Sequence, residues 1–408
     1  MSENNRIAYL SHDGLTDPLG QSQILPYILG LEEKGYTFTI FSFEKPEVFQ
    51  SNKEVIDGLI TGKKIRWVPL PYHRKPAVLA TLLDLYKLWK AVKHEHRQQG
   101  FAIIHCRSYI TSLIGLKMKR QFKTKFIFDM RGFWADERVE GGLWNLSNPI
   151  YNFIYRYFKK KEKKFLTEAN HIISLTENGK REIESWKIKS APITVIPTCV
   201  DLALFDPAKI KSEDKISLLK KLGIDENDFV LLYLGSWGTW YMTDEMLNFF
   251  SELKKQKTKA KFLVVSNDQI DLNNYLHKHD VILTSANRKS IPLYISLASA
   301  SIFFIKPSYS KKASFATKMS EVIAMDVPFI TNSGWGDVDI LGNKFFGQVL
   351  NDISHHGIAE YFKLPNNLKK PDDSQTSKIE LSLDFGLDAY ARVYQSTMAS
   401  PSFEAPKQ

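Results

Sequence analysis

The chain holds only two cysteines in 408 residues, Cys106 and Cys199. Two thiols cannot build a disulfide framework, and neither stands in a CxxC pair or near histidines at zinc-finger spacing. Long hydrophobic runs are missing too, since no stretch approaches the roughly 18 apolar residues that a membrane-spanning helix needs. The opening MSENNRIAYLS has neither the basic segment nor the apolar core of a secretion signal. These absences together give the expectation of a protein in a reducing compartment, the cytoplasm. Nor is there a GxGxxG turn, so a dinucleotide cofactor is poorly supported.

What is present suffices for two cores. A chain of 408 residues, 43% of them hydrophobic, predicts two domains of about 200 residues each. Only 365–378 and the tail 401–408 read as loose. The net charge of +10 points to something anionic: nucleic acid, a membrane surface or phosphorylated substrates. The densest basic run, Arg156 with Lys159, Lys160, Lys161, Lys163 and Lys164, follows the aromatics of 151–158. On a helix, 151–164 reads as an interfacial segment resting on anionic headgroups, or as a solvated face whose aromatics pack inward. The basic and aromatic residues form no nucleic-acid-binding module, so no nucleic acid is expected.

Short β-rich apolar runs alternate with helical patterns throughout. Strands are predicted at 6–11, 37–43, 65–69, 102–106, 125–130, 171–175 and 193–196, with helices such as 23–34, 77–96 and 149–169 between them. After Pro197 a polar connection is followed by a second series at 229–234, 261–266, 281–284, 301–305 and 328–331. Near-continuous apolar strands separated by helices mean parallel sheets covered on both faces. The economical reading is α/β: two Rossmann-like domains facing across a cleft, 1–199 and 200–383. A last helix, about 384–400, could cross back to the first domain. Ligands of such sheets sit beyond the carboxyl ends of the strands, so strand-ending residues are the candidates.

In the first domain the loop SHDGLTDPLGQSQ carries Gly14 and Gly20 before a helix predicted to start near Ser22. Glycines there let the backbone approach an anion, although a bare turn needs no ligand. The predicted strand 125–130 runs into DMRGFWADERVEGGLW, which brings Asp129, Arg131, Asp136 and Glu137 to a strand end with Trp134 and Trp144 as ring platforms. A structural salt-bridge cluster is the alternative. His105, at another strand end, is a weaker candidate, since a lone histidine there is more often a hydrogen-bonded core residue.

In the second domain Gly235, Ser236 and Gly238 form a tight turn after a strand. Further on, a helix predicted to be capped by Ser314 carries Lys318 and Glu321 three apart, on one face. A diphosphate suits the helix start and Lys318, and Glu321 could accept hydrogen bonds from ribose hydroxyls. The alternative is an intrahelical Lys–Glu pair on a solvated surface.

Four segments in order, DGLTDPLGQSQILPYILGL, ITVIPTCVDLALFDP, the LGS turn at 234–236 and ATKMSEVIAMDVPFITN, resemble the retaining glycosyltransferases of family 4 (glycosyl transferases group 1). The resemblance implies a GT-B fold, a nucleotide-sugar donor on the C-terminal domain and a glycan or lipid-linked acceptor on the N-terminal one. It further implies retention of configuration and no metal or other cofactor; no DxD motif ends a strand. Front-face attack, with the leaving phosphate helping to deprotonate the acceptor, then requires no dedicated nucleophile. Asp129, Arg131 and Lys318 are the expected catalytic residues; Gly235, Ser236, Gly238, Ser314, Lys318 and Glu321 the donor contacts; Gly14, Gly20, Asp136 and Glu137 the acceptor or phosphate contacts. The sequence also departs from the family. Ala313 stands where its first glutamate falls, the basic pair after the glycine turn is missing, and Cys199 replaces a frequent linker glycine. Two alternatives therefore stand beside the transferase: a catalytically silent GT-B subunit and a nucleotide-sugar epimerase.

Overall fold

The computed structural model describes residues 5–345, 347–364 and 378–400, so the tail at 401–408 and nearly all of the expected loop at 365–378 lie outside the described residues. The chain divides into two compact units, residues 1–197 with 383–408, and residues 198–382. The first boundary falls two residues before the expected one.

In unit 1 the strands are β1 (Arg6–Leu10), β2 (Thr37–Glu44), β3 (Ile65–Pro71), β4 (Ile103–Arg107), β5 (Lys125–Asp129), β6 (His171–Ser174) and β7 (Ile193–Val195). They form one sheet in the order β3-β2-β1-β4-β5-β6-β7, parallel at every pairing. Its helices are α1 (Pro18–Gln23), α2 (Leu25–Glu33), α3 (Pro46–Ile60), α4 (Ala77–Gln99), α5 (Ser108–Phe122), α6 (Trp134–Glu140), α7 (Pro149–Glu168) and α8 (Glu177–Ser185). Central strands such as IIHCR are buried at every position, because helices cover both faces; this is why they read as continuous apolar runs. Helix ends follow local chemistry. Asn148 caps α7 by accepting from the Ile150 amide at 2.9 Å, Thr176 caps α8, and Gly100 at φ +64° ends α4.

Unit 2 repeats the plan with β8 (Val230–Leu234), β9 (Lys261–Val265), β10 (Val281–Thr284), β11 (Ala300–Ile302), β12 (Phe329–Asn332) and β13 (Gly347–Leu350), ordered β10-β9-β8-β11-β12-β13. Its helices are α9 (Ser212–Leu222), α10 (Thr243–Gln256), α11 (Ile291–Ser296), α12 (Thr317–Ala324), α13 (Val338–Lys344) and α14 (His355–Lys363). The final helix, α15 (Leu383–Ala399), belongs to unit 1, where it packs on α2. Its Tyr394 hydroxyl lies 2.8 Å from His105 Nδ1, and Lys34 pairs with Asp388 at 2.7 Å.

Each sheet reverses its strand order once, between β1 and β4 and between β8 and β11. Ligands collect at such switch points. Among the described residues no helix is long and apolar enough to cross a membrane.

Candidate functional site

At the switch point of unit 2, β8 ends in the turn Gly235–Gly238. Gly235 has φ +112° and Gly238 φ +84°, conformations that glycine alone adopts without strain. Directly beneath Gly235 lies Lys318: a Cβ built on Gly235 would stand 3.0 Å from Lys318 Nζ. Lys318 is 7% exposed and its ammonium has no hydrogen-bond partner among the described residues. It rests on the faces of Tyr241 and Tyr233, 3.7 and 4.2 Å from the ring centroids. Such contacts stabilise a cation by about 1–2 kcal/mol, whereas removing an ammonium from water costs several kcal/mol. Burial accordingly pushes the Lys318 pKa well below the usual lysine value, with Glu321 opposing the shift. A buried ammonium with no hydrogen-bond partner among the described residues, under an exposed glycine turn, is a place prepared for an anion.

Glu321 is also buried, and its ion-pair partner is Arg288, at the start of the 3-10 turn Arg288–Ser290 after β10. The solvated Lys–Glu pair is thus not what forms. Arg288 in turn lies over Phe205, 4.7 Å from the ring. Ser236 contributes its carbonyl, which accepts from the Tyr233 hydroxyl. The turn is not wholly open, because the Trp237 amide donates to Asp268 at 2.7 Å. Ser314 does not cap α12. A 3-10 turn at Ser310–Ala313 closes with the Ser314 amide on the Lys311 carbonyl at 3.1 Å. Ala316 then stays extended with no side-chain cap, and the helix begins at Thr317. Ala313 is fully buried, out of reach of any ligand.

In unit 1 the phosphate-loop expectation is corrected. The loop after β1 already holds a carboxylate: Leu15 and Thr16 amides donate to Glu44 at 2.8 and 3.2 Å, as do the Thr16 and Ser42 hydroxyls. Gly20 lies inside α1, which starts at Pro18 rather than near Ser22. A Cβ on Gly20 would stand 2.0 Å from the Gly14 carbonyl, and one on Gly14 would stand 2.6 Å from Glu44. Both glycines are therefore required by packing.

The strand-end cluster is likewise mostly internal. Asp129 is fully buried, 3.5 Å from His105 and 3.9 Å from Arg131, and accepts from the Tyr390 hydroxyl at 3.3 Å. Burial alone would raise its pKa, but Arg131, His105 and Arg107 hold it below the usual value. It cannot touch a substrate directly. Arg131, at φ +58°, donates to Gln23 at 2.6 Å and remains the more accessible of the two. Asp136 is taken by Tyr155 at 2.8 Å and Lys159 at 2.7 Å, while Glu137 beside it is half-buried. Trp134 and Trp144 meet edge to face at 5.2 Å within a cluster that includes Tyr109 and Phe158, so neither is a bare platform. The expected interfacial segment is also partly consumed. Phe158 is buried, and Lys159 pairs with Asp136 and Glu162.

Two parallel doubly wound units with the last helix returned to the first are the GT-B fold, and solved structures agree. Sucrose-phosphate synthase from Thermosynechococcus elongatus superposes with a TM-score of 0.72 at 15% identity, over 98% of this chain and 100% of the other. Anabaena HepE in complex with UDP and glucose gives a TM-score of 0.68 at 11% identity, over 96% and 99%. The resemblance to family 4 is found independently: the Glycosyltransferase Family 4 model matches residues 26–204. The alpha-monoglucosyldiacylglycerol synthase of Streptococcus pneumoniae is 29% identical over 244 residues, 55% of this chain and 54% of that protein. The match thus spans about half the length of that curated relative.

Reading strand ends singled out Lys318, Glu321 and the Gly235 turn but missed Arg288, Tyr233, Tyr241 and Glu44. Arg288 stands four residues beyond a predicted strand, a signal that was available. The two tyrosines read as core and loop, and nothing local marks them as the floor under an ammonium.

Proposed function

We propose that the chain is a glycosyltransferase that moves a sugar from a nucleoside diphosphate to a glycan or lipid-linked acceptor, with retention of configuration and without a metal, in cell-surface polysaccharide or glycoconjugate synthesis. The single observation that carries this reading is the buried Lys318 ammonium beneath Gly235, without a hydrogen-bond partner among the described residues. The diphosphate would settle on the turn and supply the hydrogen-bond acceptor and the further negative charge that the buried ammonium lacks. Charge on the leaving diphosphate grows as the sugar–phosphate bond breaks, so a fixed cation there favours the transition state over the ground state. Glu321, oriented by Arg288, is suited to accept from ribose hydroxyls. In the retaining step the anomeric C–O bond to phosphate breaks, the acceptor oxygen bonds to the same face, and its proton passes to the departing phosphate. Unit 1 is assigned the acceptor, with Arg131 as its accessible cation and Asp129 acting only by positioning it.

A thermal-shift series with UDP, GDP and ADP tests this, because a ligand that binds only the native state raises its stability. A base-selective rise that Lys318→Met removes is expected. No rise with any of the three would favour a silent GT-B subunit, a reading to which the buried Ala313 lends some weight.

A further inference from the structure

Helix α4 carries one feature that the donor site does not use. Its outward stripe exposes Val78, Leu79, Leu82, Leu83 and Tyr86, each between 40 and 64%. At three- and four-residue spacing the same stripe continues into Lys90, Lys93 and Arg97. Both acidic residues of the helix are on the opposite, buried side: Asp84 is paired with His73 and Glu95 with Arg66. The exposed face is thus apolar over its first turns and cationic over its last, with no negative charge. It also has cationic neighbours. Helix α5 packs against both α4 and α7, and adds Lys117, seated 4.0 Å over Trp89 of α4. Helix α7 adds exposed Lys160 and, two turns earlier, Phe153, which is 71% exposed.

We infer that this α4–α5–α7 face of unit 1 docks on an anionic lipid bilayer. Lysines and arginines alone would suit any polyanion, but a row of exposed leucines gains nothing from a nucleic acid backbone. It gains from insertion at the boundary between headgroups and acyl chains, and the cations alongside attract anionic lipid. The orientation gives the contact a use. Helix α4 follows β3, so its apolar start lies at the carboxyl ends of the strands, where His12, two residues beyond β1, stands 3.7 Å from Asp84. A bilayer under Leu79 and Leu83 therefore lies beside the switch point of unit 1. An acceptor whose lipid tail stays in the membrane would be presented there. The inference rests on the transferase reading only for that acceptor; the docking itself does not.

The test is flotation of the full chain with phosphatidylcholine vesicles and with vesicles that also contain phosphatidylglycerol. Recovery with the anionic vesicles only, falling as salt rises, is expected. Leu79→Ser/Leu83→Ser should weaken anionic-vesicle binding by about tenfold or more, and Lys90→Ser/Lys93→Ser should make its salt dependence measurably shallower. Both pairs are solvent-exposed or half-exposed, so unfolding temperature and nucleotide-induced stabilisation should stay at wild-type values. That second readout separates failure of docking from failure of the transferase reading. Equal recovery with both vesicle types, an inert leucine pair, or tighter binding to single-stranded RNA than to the anionic vesicles would overturn the inference.

Discussion

The two switch points share a topology and differ in what fills them. In each unit the loop after the first strand is tied by a carboxylate at or just past the end of the neighbouring strand, Glu44 ending β2 and Asp268 three residues beyond β9. Glu44 is buried and takes two amides and two hydroxyls. Asp268 is exposed and takes one amide. Beneath the second loop lies the buried Lys318 ammonium, with no hydrogen-bond partner among the described residues and only the nearby charge of Glu321 to offset its burial. The unit 1 loop is thus closed on its own carboxylate, although His12 Nε2 within it makes no hydrogen bond among the described residues, whereas the unit 2 loop lies over an unsatisfied ammonium. Doubly wound topology fixes where a ligand can sit, but a few buried charges decide whether one is needed.

Breaking the closed loop should have the largest effect. Glu44→Ala leaves four donors without their acceptor, and the loss of several hydrogen bonds to a charged group should destabilise unit 1 by about 3–4 kcal/mol in denaturant titration. A loss below about 1 kcal/mol would show that the carboxylate does not hold the loop, and the contrast would fail. Lys318→Met acts in the opposite direction. It removes a buried charge and keeps the volume, so unit 2 should gain about 2–3 kcal/mol in stability while losing nucleotide-induced stabilisation. A variant that is both less stable and still nucleotide-responsive would place the anion elsewhere.

How far the sequence could be read follows the same division. Strands such as 229–234 and 261–266 were legible because burial on both faces leaves an uninterrupted apolar run. Strand β13, GQVL, was missed because four residues at the sheet edge, two of them without apolar side chains, make no pattern. Lys318, Glu321 and Gly235 could be found because strand-end turns and helix starts are local features. The occupancy of the β1 loop could not be found, since Glu44 lies 28 residues from Thr16 and only parallel pairing brings the two together. Ser314 misled for a local reason: it is a favourable cap, but the Ser310–Ala313 turn uses its amide and delays the helix to Thr317.

A smaller effect is expected at the turn itself. Gly235→Ala must adopt φ +112° and brings its methyl to 3.0 Å from Lys318 Nζ. The strain should cost about 1–2 kcal/mol and raise the nucleotide concentration needed for half-maximal thermal shift. Gly14→Ala in unit 1 should be costly without touching that response, which sharpens the contrast between a packing glycine and a ligand-facing one.

The smallest change per step is in pH. The folded-state pKa of Lys318 is depressed by burial below the lysine value of 10.5. Between that depressed value and 10.5 the unfolded chain binds more protons than the folded one at this site, so stability must rise with pH across the window. Below the folded value the full cost of the buried charge applies; above 10.5 both states are neutral and the rise ends. One such proton contributes at most about 1.4 kcal/mol per pH unit. The contribution is isolated by subtracting the pH profile of Lys318→Met from that of the wild type, since every other titrating group is common to both. A bound diphosphate favours the charged ammonium and should flatten the difference. A wild-type profile parallel to that of Lys318→Met from neutral pH to beyond 10.5 would mean that the ammonium is already compensated in the folded protein, and the unit 2 loop would then be as closed as that of unit 1.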